Sequence, residues 1–87
     1  MAGSDKATKE RIEKDIRKFY LNIGRMEGLT NDKNTLKVVE LSKMYASDAK
    51  SFLEKDDLYT SFSCISYAHG LLDAVLKING SDTLDVQ

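Results

Sequence analysis

Apolar positions along the chain recur at helical spacing in three stretches, separated by two short polar segments. In the first, Ile12, Ile16, Phe19, Ile23 and Met26 follow one another at intervals of 4, 3, 4 and 3. At about 100° per residue they fall on one narrow helix face. Gly28 ends this helix, and Ser4 with Asp5 behind it supplies an N-cap, where a side-chain oxygen accepts from an unpaired backbone amide. The second stretch opens in the capping residues Thr30-Asn31-Asp32 and runs to about Lys55. Its expected buried face is Val38, Leu41, Tyr45, Ala49 and Phe52, flanked by Val39, Ala46 and Leu53, with Leu36 and Met44 outside it. Ser42, Ala46 and Ala49 are small and would let a neighbouring helix come close.

The third stretch starts at Asp56-Asp57, one aspartate as cap and the other in the first turn, and ends before Gly80. Leu58, Phe62, Ile65, Ala68, Leu71, Leu72, Val75, Leu76 and Ile78, with Cys64 and Tyr67, cover roughly 220° of its wheel. Such a helix must be covered on more than one side. The remaining strip, Tyr59, Ser63, Ser66, Gly70, Asp73, Ala74 and Lys77, is small and nearly uncharged. Three helices of similar length joined by short loops make an all-α, antiparallel up-down-up three-helix bundle, with the third helix packed against both others. The expected domain is residues 1–80, and residues 81–87 lose the pattern and read as a frayed tail.

Composition supports helices: the 87 residues include no proline, no tryptophan and five glycines, at 41% hydrophobic content and net charge −1. That is one domain's worth of core, too apolar for a disordered chain. Cys64 is the lone cysteine, which excludes a disulfide scaffold and fits a reducing compartment. No stretch is long and apolar enough to span a membrane, and no signal peptide is visible, so a cytoplasmic protein without a membrane partner is expected. The Asn79-Gly80-Ser81 sequon is then a chance match. Charge is uneven: residues 1–55 carry 12 Lys/Arg against 9 Asp/Glu, residues 56–87 only 1 against 5.

Candidate chemistry is sparse. His69 and Asp73 stand one helical turn apart, and the turn at 56–57 brings Tyr45 and Asp48 to about the same level, so Tyr45, Asp48, His69 and Asp73 form a possible polar cluster. It could orient an imidazole as a general base for a small ligand or a hydrolytic step. It could equally be a histidine on an apolar arc satisfied by Asp73. One His, one Cys and scattered carboxylates fall short of a metal-ligand set, so no metal and no cofactor is expected. Cys64 sits among core positions, where a thiol stays protonated, and there is no nucleophile elbow, phosphate loop or dinucleotide fingerprint. The pattern leans against an enzyme.

Lys14, Lys18 and Arg25 line one side of the first helix, with Arg11 and Arg17 nearby, and could meet phosphates of RNA. However, Glu10 precedes Lys14 and Glu13 precedes Arg17 by four residues, the order favoured for surface ion pairs, and no aromatic residue is interleaved for base stacking. Nucleic acid is not the expected partner. The line Ser63, Ser66, Gly70 and Ala74, with Tyr67 beside it, is a candidate interface. Gly70 in mid-helix costs about 1 kcal/mol relative to alanine, and either a second backbone coming close or room needed by a neighbouring tyrosine would compensate.

The run from Tyr45 to Asp57 (YASDAKSFLEKDD), followed by Ser66 to Ala74 (SYAHGLLDA), resembles the archaeal family catalogued as domain of unknown function 357. The markers are a Tyr-x-x-Asp-Ala-x-x-Phe helix end, an acidic turn and a Tyr-Ala-His-Gly-Leu-Leu-Asp-Ala helix; the match extends from Met44 to Asn79, and the first helix matches in character only. The resemblance implies a small antiparallel three-helix bundle and brings no activity. It singles out Tyr45, Asp48, Asp57, Tyr67, His69, Gly70 and Asp73. The chain departs from the family at Asp56, where relatives more usually carry glycine, and at Ser61, where alanine is commoner. The function expected is a non-enzymatic module that associates with itself or with another protein.

Overall fold

The computed structural model describes residues 2–26, 28 and 31–80, with side chains from Asp5 onward. They form three helices, α1 (Ala2–Met26), α2 (Lys33–Glu54) and α3 (Leu58–Ile78), and no strand is present among the described residues. The segment 81–87 lies outside them, as does Thr30.

α1 buries the five residues its spacing selects, Ile12, Ile16, Phe19, Ile23 and Met26. Fully burying an aliphatic or aromatic side chain of this size contributes about 1.5–3 kcal/mol, so this row anchors the helix. Its start differs from expectation. The helix begins at Ala2, so Ser4 lies inside it and Asp5 in its first turn, where a carboxylate favours the positive end. At the other end the Gly28 amide donates to the Arg25 carbonyl at 3.3 Å.

α2 is capped by Asp32, whose carboxylate accepts from the Thr35 amide at 2.8 Å and from its hydroxyl at 2.6 Å. Its buried row is Val39, Ser42, Ala46 and Ala49. The expected face is therefore rotated: Val38, Tyr45 and Phe52 are only partly buried and Leu41 is exposed. The small side chains win the centre because α3 crosses there at close range. Ser61 Oγ of α3 donates to the Ala49 carbonyl of α2 at 2.7 Å, a bond that needs near contact of backbone and side chain. Buried Ser42 and Asn22 likewise find carbonyls within their own helices, Val39 at 2.6 Å and Lys18 at 2.9 Å.

The α2–α3 turn is a Schellman arrangement. The Asp56 amide donates to Leu53 and the Asp57 amide to Phe52, while Asp56 adopts φ +64. That left-handed position is the one where the family's usual glycine carries no steric cost. Asp56 thus closes α2 rather than entering the first turn of α3, and Asp57 alone caps α3, accepting from the Thr60 amide at 3.2 Å. Lys9 Nζ of α1 holds Asp56 at 2.7 Å, tying the turn to the first helix, and this carboxylate raises the Lys9 pKa.

α3 packs against both other helices, which touch each other far less. Its buried row is Ser61, Ile65, Ala68, Leu72, Val75 and Leu76. The apolar arc is narrower than expected from the wheel: Phe62, Tyr67 and Ile78 are exposed, and Leu58, Cys64 and Leu71 are half-buried.

Candidate functional site

His69 is held by α1. Its Nε2 lies 2.7 Å from the Asp15 carbonyl, and its ring meets Phe19 edge-on at 5.9 Å and 86°. A carbonyl only accepts, so Nε2 carries the proton; the carbonyl's second lone pair allows this bond beside the helical one. The histidine is thereby a strut between α1 and α3. Asp73, half-buried one turn later, makes no hydrogen bond to it among the described residues.

Tyr45 and Asp48 lie on the other flank of α3. Tyr45 packs on Tyr67 with ring centroids 4.5 Å apart and 37° between planes. Residues 67 and 69 project about 200° apart on a helix, so the side chain that meets α2 and the one that meets α1 cannot share a site. Levels along a hairpin bring Tyr45, Asp48, His69 and Asp73 together; azimuth separates them. Asp48 is exposed and instead acts on Cys64. Burial, and then the Asp48 and Asp57 carboxylates, push the Cys64 thiol up from its ordinary range, which keeps it protonated and a poor nucleophile.

Among the described residues no group of three or more His, Cys, Asp or Glu is placed to hold a metal, and no buried side-chain nitrogen or oxygen lacks a partner. The basic side of α1 pairs locally, Arg11 with Asp15 at 3.6 Å. Neither Glu10–Lys14 nor Glu13–Arg17 forms an ion pair among the described residues. A shallow depression of about 490 Å³ opens on the outward side of α2, lined by Leu36, Leu41 and Met44 with Lys33, Lys37 and Glu40 at its edge. No titratable groups converge there as they would in a catalytic cleft.

The remaining candidate is the outward side of α3. Ser63, Ser66, Tyr67, Gly70 and Ala74 are all exposed, and Ser63 Oγ donates back to the Tyr59 carbonyl at 3.0 Å. From Leu58 through Leu72 the chain carries no Asp, Glu, Lys or Arg, so this side lacks the charges that solvate the backs of α1 and α2. A Cβ built on Gly70 would meet nothing within 4 Å. No neighbouring tyrosine needs the space, and nothing within one chain offsets the glycine's cost.

The model of the family described as "Protein of unknown function (DUF357)" matches residues 9–80. The chain belongs to this family. No curated protein and no solved structure matches it. Membership in DUF357 agrees with the acidic turn and with the Tyr-Ala-His-Gly helix, and the structure gives those family markers physical roles. The usual turn glycine corresponds to a left-handed residue, and the histidine bridges two helices. Among the described residues no helix is long and apolar enough to cross a membrane. Sequence patterning did not single out Leu41 and Met44 of α2 as surface features. The available signal was the surplus of apolar positions over what one small bundle can cover.

Proposed function

We propose that this DUF357 member is a non-enzymatic protein-interaction module whose contact face is the outward side of α3. The observation that carries this reading is Gly70, a mid-helix glycine with open space at its Cβ, set in a face without charge from Leu58 to Leu72. A helix surface that is meant only for water is better served by alanine and charged residues, whereas close approach of another chain uses both the missing side chain and the missing charge. The half-buried lone thiol is in keeping with a cytoplasmic setting.

The test compares wild type with Gly70→Arg, measuring size by light scattering and recovery of stoichiometric partners from native extract. The reading requires an association that Gly70→Arg abolishes while the helical circular dichroism and melting temperature are kept. A wild-type chain that is monomeric and recovers no Gly70-dependent partner refutes it.

A further inference from the structure

The apolar side chains that the helix patterns select but the bundle leaves uncovered fall on a single surface. On α2 they are Leu41 and Met44, 39% and 63% exposed; on α3 they are Tyr67 and Ile78, 52% and 80% exposed. The Tyr45–Tyr67 pair joins the two helices between them. Lys50 of α2 reaches the Tyr20 ring of α1 at 4.3 Å, and His69 of α3 reaches Asp15. These contacts fix where α1 lies, and the uncovered set points to the opposite side of the α2–α3 hairpin. The hairpin is therefore apolar on both sides and α1 covers only one.

We infer that a second copy of this chain covers the other, hairpin against hairpin about a two-fold axis, with Leu41, Met44, Tyr45, Tyr67 and Ile78 at the contact. This rests on the interaction reading above, extends the face from α3 onto α2 and names its occupant. Two features favour a copy over a foreign protein. The first is charge: Asp48 is the sole carboxylate among the central residues of the face. An isologous contact must not oppose like charges, and a two-fold at the level of the Tyr45–Tyr67 pair sets the two Asp48 residues about 9 Å apart along the helices. A face selected for a different partner would carry a charge code for it. The second is area. Leu41, Met44, Tyr67 and Ile78 leave roughly 500 Å² exposed, and with the half-buried side chains between them the face approaches the ~800 Å² per partner of a standard specific interface. The resulting core is four helices, with each α1 on the outside.

Sedimentation equilibrium from about 10 µM to 1 mM, a range spanning weak to moderate dimers, tests this on wild type, on Leu41→Lys/Met44→Lys and on Leu21→Lys. Leu21 is an equally exposed leucine on α1 and controls for lost hydrophobicity. The inference predicts a wild-type dimer, unchanged by Leu21→Lys and weakened on the order of 100-fold or more by the α2 pair, because each lysine would be buried without a partner. Helical circular dichroism should stay the same in all three. A dimer insensitive to the α2 pair overturns the inference. So does a wild-type monomer: if it still recovers a Gly70-dependent partner, the interaction reading survives and only the self-association fails, and if it recovers none, both fail.

Discussion

Replacing Gly70 by alanine separates what one chain needs from what an assembly needs. Gly70 lies in the middle of α3, its Cβ position is empty to 4 Å, and its backbone is not left-handed. Alanine at such a site gains about 1 kcal/mol of helix propensity with nothing to collide with. For a domain of this size that corresponds to a melting temperature about 4–8 °C higher. Gly24, in α1 and equally unobstructed, is an internal control. The assay is urea denaturation followed by helical circular dichroism, first at low micromolar concentration and then near 1 mM. At low concentration Gly70→Ala and Gly24→Ala should stabilise alike. At high concentration the added methyl at Gly70 should cost association while Gly24→Ala leaves it unchanged. If Gly70→Ala destabilises the dilute chain while Gly24→Ala stabilises it, the space at Gly70 serves the monomer and the reasoning fails.

Phe19 is fully buried and supports the His69 ring, so Phe19→Ala should cost about 3–5 kcal/mol, enough to leave the chain largely unfolded in thermal melts. Asp56→Gly should relieve a left-handed residue and stabilise by about 1 kcal/mol when measured in a Lys9→Met background, which removes the ion pair from the comparison. Because the Cys64 thiol is raised in the folded chain, its contribution to stability is complete below the ordinary thiol pKa and is lost as pH rises toward the folded value, since the unfolded chain ionises first. Urea titrations across alkaline pH should show that loss in wild type and not in Cys64→Ala. Thiol reagents should react more slowly with the folded chain than with the unfolded one, and faster with Asp48→Asn than with wild type.

How much of this was legible in the sequence varies by helix, for physical reasons. α1 has one apolar row and one neighbour to meet, so its pattern names its core residues. α2 carries apolar residues on two sides, and a wheel returns their average. Leu41 and Tyr45 dominate that average, although the bundle buries Ser42, Ala46 and Ala49, whose small size rather than hydrophobicity qualifies them for a close crossing. α3 has the same ambiguity, which is why its arc is wider than the surface its neighbours cover. The polar cluster fails for another reason. Turn position fixes which residues share a level, but the partner His69 takes is a backbone carbonyl of α1, and no side-chain pattern encodes it. Asp56 is the converse case: the family's glycine at that position signals a left-handed residue, and the backbone has one.

The central claim, that the hairpin side opposite α1 is covered by a second copy, is tested most directly by a dilution series of ¹H–¹⁵N spectra on the unmodified chain. The account predicts amide shifts at Leu41, Met44, Tyr45, Tyr67 and Leu71 that move with concentration on a single binding curve, while the exposed side of α1, from Glu10 to Leu21, stays fixed. Shifts that are independent of concentration throughout, or that move on α1 instead, would contradict it.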